Sequence, residues 1–378
     1  MEEWKKVKLE KYIDVVMGQS PTGDTCNSEG KGIALLNGPS EFTELSPIPV
    51  QFTTDARKFA EKGDLLFCVR GSTTGKMNWA DQQYAIGRGL AAIRHKEGYE
   101  FQPFVRGLID FILPSLLPES TGSIFPSLSG EQLKEHELLL PQNLETQRQI
   151  ADFLTKLDAK IAHNRAMNAT LTALSTAIFL EKYQNTEGVG RIGDIATQRS
   201  QRIGWGDNLG EFTILSAVKT GHLVRSDAYF TKQVYSADIG NYKRVAPLAF
   251  AYNPARANIG SLGMNETGEW GAVSPIYEVF EVAEGYHFWL SLHLRQPRVR
   301  QTIAAQSAGS VRQNLKYDNF ANIALRVPNA ETVAEFNRLY TPLRERLKHN
   351  ARENETLSQL RDKLLPKLMT GRLTIKTD

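Results

Sequence analysis

The sequence predicts an α+β protein in which two loop-rich domains are separated by two long helices, paired as an antiparallel coiled coil in a pseudo-twofold internal repeat. Three observations predict it. First, sliding the chain along itself by 187 positions sets Leu128, Leu133, Leu140 and Pro141 on Leu315, Phe320, Val327 and Pro328, and Gly122-Ser123 on Gly309-Ser310. A slide of 186 then sets Leu157, Ile161, His163, Asn164, Asn168 and Leu171 on Leu343, Leu347, His349, Asn350, Asn354 and Leu357. Second, the stretch before each match is a series of short apolar runs between Gly, Pro, Asn and Ser. Third, each half ends in a run whose apolar positions alternate at spacings of three and four.

Residues 1–143 form the first domain. Its clearest strand is the run from Gly63 to Val69, and an apolar stretch from Phe104 to Leu117 reads as a short helix. Residues 144–184 are the first helical region, with Ile150, Leu154, Leu157, Ile161, Asn164, Asn168, Leu171 and Ile178 on one stripe. Residues 185–329 form the second domain, with a strand-like run from Ala246 to Tyr252 and a helix from Phe288 to about Ala305. Residues 330–378 are the second helical region, where Phe336, Tyr340, Leu343, Leu347, Asn350, Asn354, Leu357 and Leu364 repeat the stripe. Pro366 should end or kink this helix near Leu365, and Gly371 is a natural stop just beyond.

A single apolar stripe cannot stay in water, and the partner at hand is the stripe of the other half. The helix-pairing positions are therefore Leu154, Leu157, Ile161, Asn164, Asn168 and Leu171 against Leu343, Leu347, Asn350, Asn354, Leu357 and Leu364. Buried asparagines in such a seam lower stability but fix register and orientation, and antiparallel pairing brings the two Asn pairs together. The alternative is that each helix packs on its own domain with the asparagines in solvent.

The length calls for two or more domains, and 41% hydrophobic with 23% charged residues is that of a soluble globular chain. No apolar run approaches the ~18 residues of a membrane helix, and Met1–Lys6 has no apolar core behind it, so neither a membrane nor a signal peptide is expected. Cys26 and Cys68 lie far apart, which suggests a reducing compartment rather than a disulfide or metal site. The net charge of +3 hides an asymmetry: residues 1–143 hold 15 cations and 19 anions, whereas 185–329 hold 15 cations and 12 anions. Any nucleic-acid reader this mild must gather its basic groups on one face.

Two similar frames with dissimilar loops suit a two-part, unequal target. Duplex DNA repeats its face every ~34 Å, and a helical spacer no longer than ~60 Å separates two reading domains by about one to two turns. Base edges and phosphates call for Arg, Lys, Asn, Ser and Thr. In the first domain the polar loop Arg70, Ser72, Thr73 and Lys76 supplies these, with Arg57, Lys58 and Arg88 as further candidates. In the second the matching loop holds Asn253, Arg256 and Asn258, joined by Arg199, Arg202, Lys232, Lys243 and Arg244. Any one of these alone is more often a solvated surface charge than a base contact, and Arg295, Arg298 and Arg300 suit phosphates as well as a solvated helix end.

Several catalytic readings fail on spacing. Gly71 to Lys76 has three residues between its glycines and Met77 after the Lys, so it is no nucleotide loop. Asn253-Pro254-Ala255-Arg256 lacks the second Pro and the aromatic of an adenine methyltransferase motif, and no Gly-rich cofactor loop accompanies it. The seven histidines are scattered, which argues against a metal. No cofactor, metal or catalytic residue is expected.

The run from Leu360 to Leu373 reads LRDKLLPKLMTGRL, and Leu140-Pro141, Glu145, Gln147, Ile150, Leu157 and Asp158 form a central junction motif. In their order these resemble the specificity subunit of Type I restriction–modification systems, although Thr146 separates Glu145 from Gln147 and the second junction, Val327-Pro328 with Glu331, lacks the Glu-Gln pair. The resemblance covers essentially the whole chain. It implies two target-recognition domains and two helical regions, double-stranded DNA as target, and a bacterial or archaeal cytoplasmic setting. It further implies two methyltransferase subunits and the restriction–translocation subunits as partners, with catalysis supplied by them. The alternatives are the recognition subunit of a system whose methyltransferase and nuclease are fused, and an elongated interaction scaffold that does not read DNA.

Overall fold

A computed structural model describes residues 4–44, 46–117, 127–184, 188–204, 206–230, 239–308 and 314–375. Lys232 and the repeated Gly122-Ser123 and Gly309-Ser310 lie outside the described residues. The chain divides into two units, residues 1–165 with 351–378 and residues 166–350. The division cuts both long helices, so each unit contains a head and a portion of each helix.

The first unit begins with β1 (Trp4–Lys8), β2 (Ile13–Met17), β3 (Cys26–Asn27), β4 (Ile33–Leu36), β5 (Gln51–Thr53) and β6 (Phe59–Ala60). There follow β7 (Leu65–Cys68), β8 (Met77–Trp79), β9 (Tyr84–Ile86) and β10 (Leu90–His95), then helices α1 (Gln102–Leu116) and α2 (Gly130–Glu135) and strand β11 (Glu137–Pro141). A four-stranded antiparallel sheet has the order β2-β10-β7-β8, and a five-stranded sheet has the order β3-β5-β4-β9-β6 with β4 and β9 parallel. Strand β1 pairs with β11. Helix α1 covers the four-stranded sheet: Phe104, Val105, Leu108 and Ile112 share a core with Leu65, Phe67, Ala91 and Ile93. The strand-like run and the short helix expected from the sequence both lie here.

The same core takes in the start of α3 (Leu144–Ile178) and the end of α8 (Ala330–Met369), through Ile150, Leu154, Leu365, Leu368 and Met369. Gly107 on α1 permits this approach, because a Cβ there would stand 2.7 Å from Leu154 and 2.9 Å from Met369. The proline stop expected near Leu365 is not observed. Helix α8 runs through Pro366 to Met369, and Gly371, at φ +68°, ends it. In the last turn a proline forfeits one hydrogen bond, and here the carbonyl it leaves belongs to exposed Asp362. Burial of Leu365, Leu368 and Met369 outweighs that loss.

The second unit repeats the four-stranded order and the two-stranded pair with other loops, and its other sheet has four strands where the first unit has five. Its strands are β12 (Gly190–Arg191), β13 (Ala196–Arg199), β14 (Thr213–Val218), β15 (His222–Arg225), β16 (Lys243–Val245), β17 (Phe250–Tyr252), β18 (Leu262–Met264), β19 (Gly271–Val273), β20 (Glu278–Val282) and β21 (Ala324–Leu325). Its helices are α4 (Ser226–Tyr229), α5 (His287–Leu294), α6 (Pro297–Ala308) and α7 (Tyr317–Ala321). One four-stranded sheet has the order β13-β20-β17-β18; the other has β15-β14-β19-β16 with β14 and β19 parallel; β12 pairs with β21. The single helix expected from Phe288 to about Ala305 is two, broken at Arg295-Gln296. The core is aromatic: Phe179, Tyr183, Phe250, Tyr252, Phe280, Trp289, Phe320 and Phe336.

Candidate nucleic-acid interface

In both units the loop singled out from the sequence joins the same pair of strands in the four-stranded sheet. In the first it links β7 to β8. Cys68 N–H donates to Lys76 O (2.8 Å) and Gly75 N–H to Cys68 O (2.9 Å), which closes the hairpin. Thr74 Oγ1 donates to Gly71 O (2.8 Å), and Gly71 and Gly75 both take positive φ. Arg70, Ser72 and Lys76 are exposed on this rigid turn, while Thr73 is half-buried with its hydroxyl 3.4 Å from Cys68 Sγ. Arg88 is exposed between Gly87 and Gly89, which leave room for Asn37. Arg57 and Lys58 are exposed in the loop between β5 and β6, with Arg57 paired to Asp55 at 2.6 Å.

In the second unit the loop after β17 is a 3₁₀ turn, Pro254–Ile259. Asn253 caps it by accepting from Ala255 N–H (3.1 Å), and Gly260 ends it in the left-handed region. Arg256 and Asn258 are exposed. Arg199 and Arg202 are exposed as well, with Arg199 held to Glu281 at 2.8 Å. Two candidates are turned to internal work. Lys243 is nearly buried, and its Nζ donates to Tyr277 O (2.5 Å) and lies 3.6 Å from Glu278. Arg244 pairs with Asp207, donates to Arg202 O (3.1 Å) and stacks over Phe212. Charge alone marked these two in the sequence, and charge does not reveal direction. Arg295 is likewise committed, to Ser291 Oγ (3.0 Å) and to Glu266 (3.8 Å).

The stripe asparagines are bonded between helices. In the first unit Asn164, fully buried, donates to Asn354 Oδ1 (2.9 Å) and to Glu353 Oε2 (2.7 Å), and Lys160 pairs with Glu353 at 3.0 Å. Arg361 meets Asp158 at 3.1 Å. In the second unit Asn350, also fully buried, donates to Asn168 Oδ1 (2.8 Å), and Asn168 donates to Leu347 O (3.3 Å). Leu154 and Ile161 are buried; Leu157, Leu171, Leu343, Leu347, Leu357 and Leu364 are half-buried. The solvent-facing alternative for the asparagines does not hold.

Sequence reasoning missed how the first head meets its helix. His95, at the end of β10, is buried. Its Nδ1 accepts from Glu97 N–H (3.1 Å), so Nε2 carries the proton and faces Gln147 Oε1 at 3.1 Å. Gln147, fully buried, donates to Pro141 O (2.8 Å), and Gln102 accepts from His95 N–H (2.8 Å). Burial holds the imidazole below its ordinary pKa, opposed by the Gln147 hydrogen bond. The central Glu145-Thr146-Gln147 motif pointed to Gln147, but nothing local in the sequence pointed to His95.

Among the described residues no helix is long and apolar enough to cross a membrane, and no group of three or more His, Cys, Asp or Glu could hold a metal ion.

Each unit thus carries the same four-stranded order with an unlike loop after β7 or β17. Residues 1–173 match the family described as Type I restriction modification DNA specificity domain. A provisionally named type I restriction enzyme MjaX specificity subunit of Methanocaldococcus jannaschii is 34% identical over 166 residues, covering 43% of this chain and 39% of that protein. The MjaIX specificity subunit of the same organism is 24% identical over 294 residues, covering 68% of this chain and 65% of the relative. The chain thus spans less than two thirds of the length of both. The crystal structure of a Type I restriction–modification S subunit from M. genitalium superposes with a TM-score of 0.62 at 16% identity, covering 100% of this chain and 97% of that one, which establishes the shared fold. The segment matched by the family, residues 1–173, is less than half of the chain, and what it resembles is the specificity domain of type I restriction–modification systems.

Proposed function

We propose that the chain is the non-catalytic, sequence-specific DNA-binding subunit of a Type I restriction–modification complex, reading a bipartite target. The observation that carries the reading is the shared strand order, β2-β10-β7-β8 and β13-β20-β17-β18, with unlike loops joining β7 to β8 and β17 to β18. Residues 1–143 and 185–329 are the recognition domains; 144–184 and 330–378 are the spacer. Asn164 bonds Asn354 while Asn168 bonds Asn350, so one number falls as the other rises, which supports antiparallel pairing of the helices as a coiled coil. The matching strand orders and repeated positions support a pseudo-twofold relation between the halves.

DNA contacts fall to Arg70, Ser72, Thr73, Lys76 and Arg88, with Arg57 and Lys58, in the first domain, and to Arg199, Arg202, Arg256 and Asn258 in the second. Two methyltransferase subunits and the restriction–translocation subunits join the chain and supply the chemistry, in a bacterial or archaeal cytoplasm. Genome-wide adenine-methylation mapping, with the first domain exchanged for that of a relative, tests the reading. One half of the methylated motif is expected to change; an unchanged motif leaves the chain a scaffold.

A further inference from the structure

The second head contains a cleft of about 490 Å³ at the loop end of its four-stranded sheet, within the ~300–1,000 Å³ range of small-molecule sites. Gln198 from β13, Glu278 from β20, Asn253 and Ala255 from the loop after β17, and Lys316 and Asp318 at the start of α7 line it. The lining mixes apolar Pro254 and Ile276 with amide groups and the charges of Glu278, Asp318 and Lys316. Glu278 is occupied by Gln198 Nε2 (3.0 Å) and by Lys243 (3.6 Å). Asn253 Oδ1 is taken by Ala255 N–H, so what that side chain offers a ligand is its NH₂. Tyr317, which also lines the cleft, is buried, and its hydroxyl has no hydrogen-bond partner among the described residues.

The first head fills the matching corner. There Met17 ends the first strand and packs against the core, and it closes over Gly130 so tightly that a Cβ on the glycine would stand 2.9 Å from Met17 Cγ. The corresponding corners thus differ: Met17 stands against Gly130 in one head, and a cleft bearing charged and amide groups opens in the other.

A phosphate would call for an excess of cations, whereas this lining sets the single Lys316 beside two carboxylates, Glu278 and Asp318. A base edge in an intact duplex lies on the floor of a groove and is read by side chains that protrude. A recess instead receives a base that has left the stack. Resting on the DNA-reading function above, we propose that the cleft of the second head binds one unstacked nucleobase of its half-site. Asp318 accepts from the base's exocyclic amine, and Lys316 and the Asn253 NH₂ donate to its ring acceptors.

The test uses the full chain in its host system. Ala255→Leu puts a larger side chain into the cleft from an exposed position, and Asp318→Asn changes only the hydrogen-bonding pattern. The thermal midpoint of each variant is measured alongside. Both variants are expected to make one position of the second domain's half-motif degenerate in methylation maps and to leave the other half unchanged. Duplexes carrying 2-aminopurine at each position of that half-site, mixed with the full chain, are expected to show a several-fold fluorescence rise at one position, lost with Ala255→Leu. A wild-type motif that both variants preserve, with no fluorescence rise at any position, overturns the recess while leaving DNA reading intact. A wild-type chain that directs no sequence-dependent methylation overturns both.

Discussion

The first head adds a buried hydrogen-bonded chain to its apolar contact with the long helices, whereas the second meets them through rings. His95, Gln102 and Gln147 of the first unit match Val282, Trp289 and Val333 of the second along the repeat. Where the first has a buried polar chain, the second packs Trp289 beside Phe179 (6.3 Å) and Phe336 beside Tyr183 (5.3 Å), with Trp289 Nε1 donating to Tyr183 O (3.0 Å). The difference teaches that one backbone frame accepts two chemistries at the same joint. Ring burial contributes more energy and asks little of angle. A hydrogen-bonded joint contributes less, but it is costly to leave with one partner missing.

Truncation at the aromatic joint should have the largest effect. Phe336→Ala is expected to destabilise the second unit by about 3–5 kcal/mol, read as lost hydrogen-exchange protection over residues 166–350. A loss under ~1 kcal/mol would mean the rings are not what holds this joint.

Acid comes next. Burial pushes His293, stacked on Trp289 at 5.0 Å, down to about 4. Its unfolded value is about 6.5, so the unfolded chain binds the proton first, and stability present above that pH is lost as pH falls toward 4, by roughly 3 kcal/mol. Burial also lowers His222, with Arg295 adding to it, and lowers His287. In the first unit His95 shifts the same way. Denaturation between pH 7 and 4 should therefore show the second unit failing first, and His293→Phe should flatten its pH dependence. Equal acid sensitivity of the two units would refute the contrast.

Gln147→Leu should cost about 1–3 kcal/mol, because it strands His95 Nε2–H and Pro141 O without partners. Gln147→Glu, which keeps an acceptor for His95, should recover part of that loss. Urea midpoints of the three proteins decide it, and equal midpoints for the Leu and Glu variants would leave the hydrogen bond without a role. The smallest effect is expected in the seam. Asn164→Leu with Asn350→Leu should raise stability by about 1 kcal/mol while loosening register. Asn350 Oδ1 lacks a partner among the described residues, whereas Lys160 donates to Asn164 Oδ1 at 3.3 Å. Asn350→Leu alone should therefore be the better tolerated single change by thermal midpoint. Unchanged stability and unchanged spacing of the methylated half-sites would remove these asparagines from the seam's function.

Much of this was legible in the sequence because it rests on periodicity. Stripe positions, the Asn layers, the strands at Leu65–Cys68 and Phe250–Tyr252 and the loops after them follow from spacing and turn chemistry, which are local properties. What was illegible depends on direction. Lys243 and Arg244 have the composition of DNA contacts and the geometry of internal braces. Pro366 has the chemistry of a helix stop and sits where core burial carries the helix past it.

By itself, then, the sequence determined the repeated positions, the two helical stripes and a family resemblance, since apolar period and residue order survive without knowledge of contacts. Only the tertiary structure decided which charges face outward, that His95 locks onto Gln147 across 52 positions of chain, and that Met17 stands against Gly130 in one head while a cleft bearing charged and amide groups opens in the other. Those outcomes depend on side chains distant in sequence meeting at hydrogen-bond or van der Waals distance, which no local pattern encodes.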